Sequence, residues 1–280
     1  MAIPVRVVLY ADADSIARPA ARAAFARIAA LDNTMSDYRA QSEVRQLESM
    51  AGEWQQVSVG LFAVVARALE IARVTGGAFD PTVGPVVALW REARRTSRLP
   101  GLARLDSARA RVGWMRVGLD SARRAVRLEA GMRLDLGGIA KGYIIQEAMD
   151  VLRSKGVSRA LIEAGGDIVV GEAPPGERGW RVDAPGASES LAAVLASITN
   201  SAVATSGPET QYVIIDGARY SHVIDPRTGK ALTTGAVARV IARDGATADA
   251  LATALTVLDA EAGAALVARR FPGVRAEVRD

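Results

Sequence analysis

The stretch RALIEAGGDIVVGE, residues 159–172, decides the fold. It reads as a strand, a glycine turn and a second strand, because Leu161 and Ile162 before Gly165–Gly166 are answered by Ile168, Val169 and Val170 after them. Just upstream, MRLDLGG (132–138) reads as the end of a strand, and IAKGYIIQEAMDVLRSKG (139–156) as a helix stopped by Gly156. Downstream, QYVIID (211–216) and RYSHVI (219–224) flank Gly217–Ala218 as another hairpin, and AVARVIA (236–242) is a further strand. Near the start, PVRVVLYA (4–11) alternates as a strand. Apolar residues then recur at helical spacing from Asp14 to Leu31. Ser58 caps a second helix that Gly76–Gly77 end, Ala246–Leu258 forms another, and Asp259 caps a last one ending near Phe271. Helices interleaved with hairpins imply α+β with a mostly antiparallel sheet and packed helices, rather than a doubly wound α/β fold. No repeat or linker divides the chain, so one domain over 1–280 is expected, with an arginine-rich peripheral excursion of a helix and a small hairpin over 91–128.

At 280 residues, half of them apolar, the chain can bury a full core, and with 5% aromatics Ala, Val, Leu and Ile must do most of the packing. No apolar run reaches the roughly eighteen residues of a membrane span. The opening MAIPVRVVLYA lacks a basic start and is interrupted by Arg6, which reads as a strand rather than a signal peptide. Zero cysteines exclude disulfides and thiolate metal sites. The formal charge of +4 favours anionic ligands. Its arginines are scattered without aromatic platforms among them, which argues against nucleic acid. Only Lys141, Lys155 and Lys230 among 35 basic residues are lysine, so a lysine suggests a place that wants a compact point charge.

Four blocks can carry chemistry. In LDLGGIAKGYIIQ (134–146) two glycines and a helix start offer backbone amides to a phosphate, with Lys141 beside them. It is neither a Walker loop nor GxGxxG, and an ordinary strand–turn–helix joint would look the same. In TGGAFDPTVGPVVALW (75–90), Phe79 and Asp80 stand in a rigid turn, either beside a flat ring or simply ending a helix. In ATADALATALTVL (246–258), Asp249 and Thr253 are four apart and share a helix face, a carboxylate and a hydroxyl suited to a hard cation or to an ordinary helix start. The fourth block is ATSGPE (204–209) followed by YSHVIDPRTGKA (220–231), which holds His222, the only histidine.

Together and in this order the blocks resemble the ApbE family of flavin transferases (FAD:protein FMN transferases). The resemblance runs from MSDYRAQSEVRQLE (35–48) through GGAFDPTVGP (76–85), DLGGIAKGY (135–143), ALIEAGGDIVVGE (160–172), ATSG (204–207) and YSHVIDPRTG (220–229) to DALATA (249–254), nearly the whole chain. It implies an α+β, T-fold-like core. It also implies that FAD is bound as substrate and that Mg²⁺ assists cleavage of its pyrophosphate. FMN then passes to a Thr or Ser hydroxyl of a target protein, typically a membrane redox-complex subunit, with release of AMP. A periplasmic, membrane-anchored location goes with many members.

By position, the resemblance makes Asp249, Thr253 and the backbone carbonyl of Ala140 the metal ligands. Tyr38, Ala78, Phe79 and Asp80 fall on the flavin side. Lys141, Glu163, Gly165, Gly166, Asp167, Ser206 and Gly207 line the nucleotide pocket, and His222, with Asp249 a catalytic candidate, takes the acceptor's proton or orients it. The chain departs from the family with Met1-Ala2-Ile3 at its first strand and Pro208-Glu209-Thr210 after ATSG, which bears on how the isoalloxazine is held. Two rivals share the same pocket: an FAD pyrophosphatase that uses water as acceptor, and a non-catalytic FAD-binding protein. The last has no use for a proton acceptor.

Overall fold

A computed structural model describes residues 3–207 and 212–279. Six strands form the central sheet: β1 Val5–Leu9, β2 Ala160–Ala164, β3 Asp167–Val170, β4 Ser201–Ser206, β5 Val237–Ala242 and β6 Arg275–Arg279. Their order in space is their order in the chain, and every pairing is antiparallel. The deciding hairpin forms as its sequence predicts: Ala164 pairs with Asp167 across Gly165–Gly166, whose φ angles of 55° and 93° suit a two-residue turn that only glycine enters without strain.

Side chains alternate across the sheet as a period of two requires. Ile162, Val169, Ala202, Ala204 and Val240 face the main core, where helices cover them. Leu161, Val170, Val203 and Ile241 face the other way, under Trp180, Val182, Leu191, Leu195 and Ile198. The covering helices are α1 Asp14–Met35, α2 Val59–Val74, α4 Ala140–Ser154, α5 Gly245–Val257 and α6 Ala260–Arg270, with α3 Gly84–Thr96 outside the main core. The expected caps are present. Ser58 accepts from Leu61 N–H, Asp259 accepts from Glu261 and Ala262 N–H, and Gly156 follows α4 in the left-handed region. Among the described residues no helix is long and apolar enough to cross a membrane.

A third apolar cluster joins α3 (Val86, Trp90, Ala93) and the helix Leu102–Arg109 to the hairpin of Tyr212–Ile215 and Ala218–Ser221. Here the structure corrects three expectations. Residues 132–138 make no strand; Arg133 forms only an isolated bridge with Val83. The expected strand 219–224 breaks after Ser221, leaving His222 between it and the short strand Ile224–Asp225. Finally, the 91–128 excursion does contain a helix and the hairpin Gly118–Asp120 with Ala125–Arg127, but Arg91 lies inside α3 and turns toward the cavity rather than the periphery.

Helix α5 is buried almost all round and packs on β4, β5, α2 and α4. Where α4 and α5 meet, backbone touches backbone. A Cβ on Gly142 would lie 1.9 Å from the Gly245 carbonyl oxygen, and one on Gly245 would lie 2.2 Å from that of Gly142. The neighbours are main chain, so they cannot rotate away. Gly142→Ala is therefore expected to cost about 3 kcal/mol in unfolding experiments. Gly101→Ala, with nothing within 4 Å of its Cβ, should cost under about 1 kcal/mol. Equal midpoints for the two variants would mean the crossing has slack.

Candidate active site

The glycine contact brings two helix starts together, and the polar side chains follow from it. Asp249, one turn into α5, accepts the Gly142 N–H through Oδ2 at 3.2 Å and the Lys141 ammonium through Oδ1 at 3.3 Å. Lys141 also donates to Asp167 Oδ2 at 2.5 Å, and Asp167 is placed there by the glycine turn immediately before it. Burial pulls the Lys141 ammonium toward neutrality, but Asp249 and Asp167 outweigh it and hold the group charged well above the usual lysine range. Burial, with the Asp249 charge second, pushes Asp167 up to about 8 despite its lysine.

Thr253, one further turn along α5, meets the Gly137–Gly138 turn. A Cβ on Gly138 would lie 2.8 Å from Thr253 Oγ1 and 3.3 Å from the Phe79 ring. The carboxylate, the hydroxyl, the lysine and the turn thus surround one point. Among the described residues no three carboxylate or imidazole groups converge as a ready-made metal cage. The available donors are all oxygens. Two buried carboxylates share one ammonium there, and Asp167 Oδ1 is buried without a hydrogen-bond partner. That combination fits a hard divalent cation that completes its shell with water or ligand oxygens.

A cavity of about 340 Å³ opens over this point. Of the expected residues, Tyr38, Ala78, Phe79, Asp80, Lys141, Gly165, Ser206, Gly207, His222, Asp249 and Thr253 all line it. Others do not. Glu163 faces Arg6 on the neighbouring strand, at 2.8 Å, instead of the cavity. Gly166 serves the hairpin turn, Asp167 reaches the cavity only through Lys141, and Ala140 is buried as the first residue of α4. Ile3 packs on Gly165, whereas Met1, Ala2 and Pro208–Thr210 lie outside the described residues.

Asp80 lines the cavity and also has a structural task. Its Oδ1 accepts the Thr82 N–H at 2.8 Å and the Thr82 hydroxyl at 2.6 Å, and its Oδ2 accepts the Trp114 N–H at 3.1 Å. Thr82 Oγ1 in turn accepts the Gly113 N–H at 2.8 Å. Asp80 therefore clamps the Phe79 turn to the excursion, and burial raises its pKa in spite of those donors. Both oxygens are engaged within the chain.

Sequence reasoning missed a second charged group. Asp135 donates its N–H to the Pro81 carbonyl at 2.8 Å, accepts the Gly137 N–H through Oδ1 at 2.8 Å, and binds Arg91 through Oδ2 at 3.1 Å. Arg91 also pairs with Asp37 and lies 4.6 Å over the Tyr38 ring. The Asp-Leu-Gly spacing at 135–137 was the available signal, since an Asp that bonds the amide two residues on makes a tight turn. The partner Arg91 had none.

Asp80→Ala would leave the Thr82 and Trp114 donors without their acceptor. A loss of about 2–3 kcal/mol is expected by thermal unfolding; a variant melting like the parent would show the clamp to be dispensable.

Comparisons with known proteins give the family and the fold. The ApbE family model matches residues 1–277. A Treponema pallidum protein named FAD:protein FMN transferase is 35% identical over 86% of this chain and 72% of its own length. A Klebsiella pneumoniae protein of the same name is 32% identical over 96% and 84%. Among solved structures, the ApbE protein of Thermotoga maritima superposes with a TM-score of 0.84 at 30% identity, covering 98% of this chain and 90% of its own. The apo flavinyl transferase ApbE of Pseudomonas stutzeri superposes with 0.83 at 26%, covering 99% and 92%. With its sheet, its glycine crossing and its lined cavity all in place, the chain belongs to the ApbE family.

Proposed function

We propose that this protein is an enzyme that transfers FMN from FAD to another protein, the activity for which its relatives are named, and that a hydroxyl group of that protein is the acceptor. One observation carries the reading: Asp249, Thr253 and Lys141 converge on the Gly137–Gly138 turn in a cavity that His222 also lines. A phosphorus centre bearing negative oxygens needs charge neutralisation and alignment before a hydroxyl can attack it. Lys141 brings a positive charge locked in place by two carboxylates. The Gly137–Gly138 turn brings bare main chain to the cavity, although the Gly137, Ile139 and Ala140 amides are already bonded to Asp135 and to the Leu136 carbonyl.

The finer reading is that Mg²⁺ takes part, held by Asp249, Thr253 and the Ala140 carbonyl. When bound, it neutralises phosphate oxygens as a Lewis acid. The acceptor is read as a Thr or Ser side chain, on a subunit of a membrane redox complex. Its oxygen forms the new bond to the phosphorus of the FMN half while the bond to the bridging oxygen breaks. AMP leaves with that oxygen, and the hydroxyl proton passes to His222. An imidazole, which ordinarily titrates at about 6.5, is suited to that near neutral pH. Phe79, fixed by the Asp80 clamp, and Tyr38 supply aromatic surface at the cavity.

Incubation with FAD, Mg²⁺ and a threonine-bearing acceptor peptide tests the proposal by mass. The peptide should gain one FMN and AMP should appear; FMN and AMP without a modified peptide would assign hydrolysis instead, and intact FAD would assign binding alone. Asp249→Asn should abolish Mg²⁺-dependent turnover. His222→Ala should still bind FAD but transfer about a hundred- to ten-thousandfold more slowly. Transfer by that variant at the parent rate would remove the histidine from proton transfer.

A further inference from the structure

Among the described residues Tyr38 is the most exposed large apolar side chain, 80% accessible, yet it stands at the cavity and is not loose. Arg91 stacks its guanidinium over the phenol ring at 4.6 Å. The same guanidinium pairs with Asp37, the residue before Tyr38, and with Asp135 at 3.1 Å. Behind Asp37, Arg45 donates Nε to its backbone carbonyl at 2.8 Å and pairs with Glu48, which accepts the Leu134 N–H at 2.8 Å. Asp135 holds the Gly137 amide at 2.8 Å, so the chain of contacts ends on the turn that meets Thr253. Every link is a charged hydrogen bond or a stack with limited freedom. An exposed aromatic held this firmly is expensive in side-chain entropy unless something uses its position.

We infer that Arg91 is a positioning residue. It fixes the Tyr38 ring as a stacking plate for a flat ring of FAD, at a set distance from the glycine turn that receives the diphosphate. This rests on the FAD reading above. FAD has two ring systems one diphosphate apart, so a plate tied to the diphosphate turn selects by length as well as by shape. The guanidinium is suited to the task, because one planar fork reaches two carboxylates while its face lies on the phenol. A lysine could keep the charge but not both the fork and the face. Arg91 touches neither phosphate nor acceptor in this scheme, and acts through Tyr38 and Gly137.

The test is binding, read without turnover. FAD, riboflavin and AMP are titrated separately into the wild type, Arg91→Ala, Arg91→Lys, Tyr38→Ala and the double variant Arg91→Ala/Tyr38→Ala, with flavin fluorescence quenching and calorimetry as readouts. Arg91→Ala should weaken FAD about tenfold, and Arg91→Lys should rescue stability but not affinity. The double variant should be no weaker than Tyr38→Ala alone, because the arginine works through that ring. Loss confined to riboflavin assigns the isoalloxazine to the plate, and loss confined to AMP assigns the adenine; either outcome supports the inference. Additive losses in the double variant, or FAD affinity unchanged in both Arg91 variants, would overturn it. Failure of the parent to transfer FMN would remove the functional reading while leaving this binding result to stand or fall by itself.

Discussion

The structure depends on one close approach, between the backbones of Gly142 and Gly245. A helix pair carrying side chains at the crossing would stand some ångströms further apart, since ordinary interaxial distances of 8–10 Å reflect the side chains between them. With none, the first turns of α4 and α5 share one space, and the Asp249 carboxylate reaches both the Gly142 amide and the Lys141 ammonium. The same closeness puts the Thr253 hydroxyl against Gly138. Site geometry here is a by-product of packing. The residues that bond are set by residues that have no side chains at all.

On this frame the charges are arranged in two groups with different duties. The inner group, Lys141 with Asp249 and Asp167, is buried, sets two carboxyl groups against one ammonium, and leaves Asp167 Oδ1 without a hydrogen-bond partner. It is therefore disposed to receive a further cation. The outer group has the same make-up, but Arg91 binds both Asp37 and Asp135 at the cavity wall while its face lies over Tyr38, so its polar groups are occupied within the chain. Burial opposes ionisation of Asp135, and Arg91 offsets part of that cost while Asp37 adds to it. The first group is a demand for ligand; the second is a brace. Asp80 belongs with the brace, because its donors are all supplied by the chain.

Much of this is legible from sequence because the signals are local. Gly165–Gly166 announces a hairpin, Ser58 and Asp259 announce helix starts, and Asp249 and Thr253 announce a shared face, each within a few residues. What escapes is non-local or ambiguous. Arg91 is one arginine among many, and only folding reveals that Asp37 and Asp135, 54 and 44 positions away, are its partners. The strand β6 carries charge at every second position, which reads equally as a solvated tail. His222 has β-forming neighbours and so reads as part of a strand, yet the pairing stops at Ser221, whose own backbone amide bonds Leu232 instead. The motif around Glu163 draws it toward the cavity. In an alternating strand its side chain falls opposite Arg6, and the ion pair takes it.

Among the described residues, the sequential order of the sheet leaves β1 and β6 as its two borders. Such borders offer unpaired main-chain groups to any passing strand. On β6, Arg275, Glu277 and Arg279 occupy alternate positions, and Arg6 stands near the start of β1 after Pro4. A second molecule trying to extend the sheet would have to bury those ions or match them. The protein thus carries its own deterrent to polymerisation at both margins of the sheet.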